Sequence, residues 1–522
     1  MSRLITLSVL LCVLHASTQR STPADDHYVA AVVEYRVSND VSANLQSYAN
    51  LIKDASGQNA DIIVFPELTL SRGRSVVVPI HGILKDYPVP ALRPDLYDEV
   101  LVTISSAARQ NAIYVVINIE ELVDCTHDNS EYCPKPERYL FNTNVVFDRT
   151  GAVIDRYRKI NLFGEYTRTP ALQPDLGIFS TDFGVKFGHF ICFDLMFQVP
   201  AVQLVDKYNL TDIIFPTMWF SEMPYLTAVQ IQEAYAYSMN VNFLGAGANN
   251  VRVGSAGSGI YSGKAGALVS TMPGVPTTSL LVAKVPKVPG KVSGTYPGPI
   301  YDDPSTQDDL VLIADPSLPS HISRTLTPGF QEITLTDKDV TCHFKVRLNQ
   351  RNTETYYRYR AAAFSGVRSF SGVATGGSRL CSVVACSNDT IQSCGRRFPK
   401  YVENATAIFE ELEIIAEVPK PIIDDAVETS DSAYFPVSLD TAIMPLEVSE
   451  YTFEEKHTST RNVYEYKLKN FNKDLYAFGI WGRVYETDGE DATPPVDDTN
   501  NGIVFTIRTV LLVVSLLVGF NV

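Results

Sequence analysis

The chain has no block of Lys or Arg anywhere along its 522 residues; 43 basic side chains stand against 59 acidic ones, for a net charge of -16. Phosphate binding relies on cationic neutralisation, so this balance works against nucleic acid or an anionic lipid headgroup as a partner. No His/Cys/Asp cluster has metal-ligand spacing, and neither "GVATGG" nor "GSAGSG" opens a helix after a strand, so no metal, nucleotide or other cofactor is expected. Internal repeats are absent, and cysteine is scarce at eight residues. The apolar C-terminal tail has nothing basic behind it.

What remains is a globular composition, 45% hydrophobic and 20% charged, long enough for two or three domains. Residues 1–18 carry Arg3, an apolar run from Leu4 to Leu14 and the small residues Ala16, Ser17 and Thr18, the layout of a cleaved secretory signal. At the other end an acidic, Pro-containing stretch over 486–502 reads as a stalk, and 503–522 is apolar with only Arg508 charged. A permanent span usually keeps a cytoplasmic basic flank. The small polar cluster before the tail instead fits a glycosylphosphatidylinositol signal, with attachment at Asn500 or Asn501 and the tail removed; a tail-end transmembrane helix is the alternative. Three sequons, at Asn209, Asn388 and Asn404, have chemical meaning in a secreted chain. A glycosylated ectodomain on the outer face of the cell membrane is the expected setting.

An oxidising compartment pairs most thiols. Cys12 leaves with the signal, and seven remain: Cys125, Cys133, Cys192, Cys342, Cys381, Cys386 and Cys394. At least one therefore has no intramolecular partner. Cys125 and Cys133 share a short polar loop and can bridge locally; the four beyond residue 340 can make two more bridges in a connectivity left open. Cys192 is the odd one out.

From 25 to 285, short runs such as "YVAAVVEY", "ADIIVFPE", "AIYVVINIEE", "YLFNTNVVFD", "VKFGHFICFD" and "TDIIFPTMWF" read as strands. Between them, "SANLQSYANLIKDAS", "LYDEVLVTISSAARQN" and "LTAVQIQEAYAYSMNVN" have helical spacing. This alternation predicts an α/β domain. A Pro/Gly-rich linker follows, and 290–485 reads as a second, β-rich domain with segments such as "DLVLIAD", "TCHFKVRL", "YYRYRAAAF" and "NVYEYKLKN".

Cys192, in "GHFICFD", is predicted at a strand-to-helix corner, where a side chain is exposed at the sheet end near backbone N–H groups, as a nucleophile requires. The competing fate is a buried structural thiol. A thiol is mostly protonated at neutral pH, so it needs a base, and the oxyanion that its attack creates needs a cation or N–H donors. Glu67, after "DIIVFP", and Lys159, after "VIDRYR", are delivered by two other strand ends. Trp219 follows a further one, as a pocket wall or as core. Asp194 reads as a structural acceptor at the turn, and His189 as pointing to the face opposite Cys192.

A Glu after F-P, a Lys in R-x-K-x-N-L-F and a Cys in C-F-D, with "YLFNTNVVFDRTGAVIDRYRKINLFGE", "CFDLMFQVPAV", "IIFPTMW", "LTAVQ", "MNVNFLGA" and "GSGIYS" in order, resembles the vanin and biotinidase branch of the nitrilase superfamily of carbon–nitrogen hydrolases. The resemblance implies an αββα sandwich over 25–285 and a smaller β-rich, disulfide-stapled domain over 290–485. It implies Glu67 as proton acceptor, Lys159 as proton donor and oxyanion partner, and Cys192 as nucleophile. Phe193 would supply an oxyanion N–H, and Glu165 would support the site. The implied substrate is a linear amide, pantetheine or else a biotin amide such as biocytin, and the chain is expected as a monomer or weak homo-oligomer. A catalytically weak adhesion or signalling glycoprotein on the same scaffold is the reading from another class.

Overall fold

The computed structural model describes residues 20–496 apart from 72, 80–82, 127–132, 135, 136 and 352. The signal segment, Asn500, Asn501 and the apolar tail lie outside the described residues.

Strands β1 (His27–Arg36), β2 (Ile62–Val64), β3 (Tyr114–Asp124), β4 (Arg138–Phe147) and β5 (Val153–Arg158) lie side by side in that order. A second sheet begins with β6 (Gly177–Ser180), β7 (Lys186–His189) and β8 (Asp212–Thr217). The two-residue strand β9 (Glu222–Met223) sits on the loop that follows. The second sheet continues through β10 (Asn242–Asn249), β11 (Ser258–Ser262) and β12 (Ala267–Thr271). Strand β13 (Ser279–Pro286) returns to pair antiparallel with β1, and β14 (Gly298–Ile300) closes the far edge beside β12.

Both faces of the first sheet are apolar, as parallel central strands require. Ala31, Val33, Ile63, Val115 and Ile117 pack under helices Val41–Gly57 and Glu99–Asn111, whereas Ala30, Val32, Ile62, Val64 and Val116 meet Phe187, Ile214, Leu244 and Ile260 of the second sheet. Asp40 and Asp98 start the two helices by accepting from Ala43 N at 3.0 Å and Val100 N at 2.8 Å. The outer face of the second sheet, with Ile213, Phe215 and Phe243, packs on helix Ala228–Met239. The result is the expected αββα sandwich.

The β-rich part is two five-stranded antiparallel sheets. One runs Ile322–Thr325, Arg358–Phe370, Ala374–Cys386, Leu475–Val484, Ser432–Asp440; the other runs Gly329–Asp337, Val340–Asn349, Ile408–Pro419, Arg461–Leu468, Tyr451–His457. Cys342–Cys381 ties one sheet to the other, Cys386–Cys394 closes a local loop, and Cys125–Cys133 does the same in the first domain. Tethering residues 39 apart removes unfolded-state freedom, a contribution of about 2–4 kcal/mol. The segment Ser432–Asp440 covers the outside of helix Ala228–Met239, with Gln230 Nε2 donating to Ser438 O at 3.1 Å, so that helix is buried between two domains.

Two segments differ from expectation. In "DLVLIAD" only Ile313–Ala314 is strand, because Val311, Ile313 and Asp315 donate their N–H groups to Val251, Ser221 and Met223 of the first domain. The start of the presumed stalk is not free; Asp488 pairs with Arg483, and Thr493 exchanges backbone and hydroxyl bonds with Val367.

Burial pushes the carboxyls of Glu34, Glu233 and Asp440 up to about 7, about 8 and about 7, well above the ordinary carboxylate range. The folded chain thus holds protons that the unfolded chain releases. This contribution is complete below about pH 4 and is lost as pH rises through about 7 to 8. His321, which burial holds down at about 4, acts the opposite way, but only below its unfolded value of 6.5. The melting midpoint is therefore expected to fall between about pH 6.5 and about pH 9. A calorimetric profile that is flat or rising over that window contradicts this assignment.

Candidate active site

Three strand ends deliver the three side chains. Strand β2 stops at Val64, two residues before Pro66, and puts Glu67 at the sheet edge; β5 ends at Arg158, so Lys159 follows directly. Strand β7 stops at His189, earlier than its apolar run suggests, and Cys192 opens a one-turn helix over Cys192–Met196 with φ of 48°. A left-handed φ at a residue with a side chain costs about 1–3 kcal/mol and persists only where surrounding contacts impose it.

Asp194 supplies those contacts. Its Oδ2 accepts from Tyr157 Oη at 2.7 Å and Ile191 N at 3.1 Å, and its Oδ1 accepts from Asn161 N at 2.8 Å and Asn161 Nδ2 at 3.0 Å. The elbow is thus pinned to both flanks of Lys159. Burial pushes the Asp194 carboxyl up to about 6, and the Lys159 charge, the Tyr157 hydroxyl and the Asn161 and Ile191 N–H groups work against that rise. The continuous helix that the sequence suggests after Cys192 is broken at Val199, whose φ/ψ is extended.

Lys159 and Glu67 are buried at 1% and 3% exposure, and Lys159 Nζ donates to Glu67 Oε1 at 2.8 Å and to Glu165 Oε1 at 2.5 Å. Burial alone would lower the Lys159 pKa, but the Glu165 and Glu67 carboxylates outweigh it, and the ammonium is held well above its usual range. Glu165 is the counterpart; burial disfavours its charge, yet Lys159 brings its pKa below the ordinary value. One cation is shared by two carboxylates.

Asn142, which sequence reading did not single out, donates from Nδ2 to Glu67 Oε1 at 2.7 Å and to Glu165 Oε2 at 2.9 Å. Asn118 holds it in turn, donating to Asn142 Oδ1 at 2.8 Å, and its own Oδ1 accepts from Leu68 N at 2.8 Å. Buried amides in the middle of apolar strands β3 and β4 were the available signal, since a buried polar group is costly unless it is paired. Met218 contributes through its backbone, and no side-chain pattern marks it. Its N–H donates to Glu67 Oε2 at 2.8 Å, and its carbonyl accepts from the Cys192 thiol at 3.6 Å.

The thiol is 5% exposed, and Cys192 is the free cysteine of the described chain. Burial raises its pKa far above the ordinary value and Glu67 adds to that, while Lys159 and the Thr217 hydroxyl oppose it. A resting thiol, a carboxylate base and an ammonium therefore stand together, able to move a proton from sulfur to carboxylate as sulfur attacks a carbonyl.

Phe193 packs on Phe163 at 4.9 Å and on Phe370 of the β-rich domain at 5.4 Å. Trp219 is 7% exposed; it packs beside Phe215 and donates Nε1–H to Leu226 O at 2.9 Å. His189 faces away from the thiol, between Asp155 at 2.8 Å and Asn144 at 3.3 Å. No group of His, Cys, Asp and Glu fit to hold a metal ion occurs among the described residues.

Residues 29–265 match the carbon–nitrogen hydrolase family, and 312–488 match the vanin C-terminal domain. Vanin-like protein 2 of Drosophila melanogaster is 35% identical, over 91% of this chain and 93% of that protein. Biotinidase of Homo sapiens is 28% identical over 92% and 95%, and pantetheinase of Canis lupus familiaris 28% over 92% and 92%. The chain belongs to the vanin and biotinidase branch of the nitrilase superfamily, and it is a hydrolase of carbon–nitrogen bonds in linear amides other than peptides.

Proposed function

We propose that the chain cleaves pantetheine to pantothenate and cysteamine through a thioester on Cys192. The observation that carries this reading is a free thiol on a strained elbow, donating to the carbonyl of Met218, whose own N–H binds Glu67, while Lys159 donates to the same Glu67 carboxylate. Sulfur attacks the amide carbonyl as its proton passes to Glu67, and the developing oxyanion is met by the Lys159 ammonium. The C–N bond breaks, and the amine leaves with the proton from Glu67. Water, deprotonated by Glu67, then attacks the thioester, and the acid leaves as the thiol re-forms. Glu165 and Asn142 keep the base and the cation in register. The Phe193 N–H is the second oxyanion donor in this scheme, and Trp219 walls the pocket.

The pantetheinase relatives support pantetheine as the substrate, and the biotinidase relatives keep a biotin amide such as biocytin as the alternative. The secretory layout of the N-terminus, the exposed Asn209, Asn388 and Asn404, and the small-residue cluster before the tail support a glycosylated protein, lipid-anchored on the outer cell surface. Cells expressing the full chain are expected to hydrolyse added pantetheine faster than biocytin, and phosphatidylinositol-specific phospholipase C is expected to release that activity. Faster turnover of biocytin transfers the assignment to biotin amides, cleavage of neither substrate refutes it, and activity that stays on the cells after the phospholipase refutes the anchor.

A further inference from the structure

The longest hairpin of the β-rich domain, Arg358–Phe370 and Ala374–Cys386, turns at Ser371, Gly372 and Val373. That turn lies on the active site rather than in solvent. Phe370 packs edge-on against Phe193, the residue after Cys192. Val373 lies within 3.8 Å of where a side chain on Gly164 would start, and Gly164 precedes the Glu165 that holds Lys159. Ser371 Oγ donates to Glu222 Oε2 at 3.0 Å, on the loop four residues beyond Met218. One turn of the second domain therefore touches the lysine loop, the cysteine elbow and the loop whose backbone binds both Glu67 and Cys192.

The turn is fastened as well as close. Arg368 is 2% exposed; it bonds Glu222, reaches Asp315 at 3.5 Å, and stacks over Phe370 with its guanidinium 4.7 Å from the ring centroid. Two carboxylates from outside the hairpin thus neutralise a buried cation on it, and Ser369 N donates to Ser317 Oγ at 3.0 Å. The side chains around the turn grade outward. Phe193 and Phe370 are buried, while Phe163, Phe220 and Val373 are partly open, and Phe163 faces Phe220 at 5.8 Å. Phe163, Phe220 and Val373 thus form a half-open apolar border beside Phe193, the residue after the buried thiol.

We propose that this hairpin turn is the outer wall of the substrate site, and that Val373, together with Phe163 and Phe220, sets how large a group beyond the scissile amide reaches Cys192. The inference rests on Cys192 being the nucleophile. It makes the β-rich domain a specificity element of the enzyme, so that changes at one turn alter which linear amides are accepted while the proton-transfer groups stay in place.

Alkylation of Cys192 by two haloacetamides of different size tests the wall without knowledge of the substrate. In each reaction sulfur displaces iodide, and adduct growth is followed by mass spectrometry on the full, disulfide-intact protein. For Val373→Trp, the rate with N-benzyl iodoacetamide relative to iodoacetamide is expected to fall about tenfold, and Val373→Ala is expected to raise the same ratio about threefold. If both ratios equal that of the wild type, the wall assignment is wrong; Val373→Ala, a truncation of a partly open side chain, keeps the test valid should the Trp variant not fold. Failure of the nucleophile assignment shows differently, as amide turnover surviving in Cys192→Ala, which leaves the alkylation ratios of the Val373 variants unaffected.

Discussion

Cys192→Ala is expected to lower amide turnover by at least about 10⁴-fold while leaving the fold intact. The chemistry gives the size of the loss. The thiol sits at 5% exposure with burial holding its proton on, so it acts only through a base that takes that proton. Without sulfur, the reaction falls back on water activated by Glu67, whose carboxylate is fixed by three donors in a geometry suited to a proton on Cys192. Folding is spared because alanine keeps the Cβ, so the cost of the left-handed φ is unchanged, and the four hydrogen bonds of Asp194 that impose it do not involve sulfur. Steady-state turnover and the melting midpoint of the variant check both halves. An alanine variant that keeps more than about a tenth of the wild-type turnover removes Cys192 from the mechanism.

The elements whose periodicity belongs to a single local segment were legible in the sequence. Helices Val41–Gly57 and Glu99–Asn111 show apolar stripes because one face of each lies on a sheet, and β1, β3 and β4 read as apolar runs because both their faces are covered. Strand β7 was overread, since the apolar run through Phe190 and Ile191 continues past the point where Asp194 turns the chain. The site was legible where it depends on side chains at strand ends. Glu67 and Lys159 are 92 residues apart, yet a sheet brings its strand ends together whatever the intervening length. Met218 was not legible, because its two contacts come from peptide groups that every residue has. Nor was the hairpin turn, whose meeting with Phe193 depends on how two domains dock and leaves no trace in the local pattern around Phe370.

Lys159→Met is expected to cost about 10³-fold in turnover and, by removing one partner of a buried ion cluster, about 3–5 kcal/mol in stability near neutral pH. In the wild type one ammonium lies 2.8 Å from Glu67 and 2.5 Å from Glu165, and Asn142 bridges the same two carboxylates. Methionine fills the space but leaves two carboxylates joined through one amide, with the Arg168 guanidinium 3.8 Å from Glu165 as the remaining nearby cation, and one weaker counter-charge does not keep both ionised. One takes up a proton, so the pH dependence reverses. The lowered Glu165 pKa of the wild type gives stability that is present above 4.5 and lost as pH falls through the folded value. In the variant a carboxyl is raised instead, so that its share of stability is present in acid and lost as pH rises. A base that spends part of its time protonated also moves the rising limb of the activity profile to higher pH. Lys159→Arg restores the charge but not the compact ammonium that fits between two carboxylates, and it is expected to recover more of the stability than of the turnover. Denaturant titrations and pH–rate profiles of the two variants measure these effects. If Lys159→Met keeps wild-type turnover, the ammonium has no part in stabilising the oxyanion.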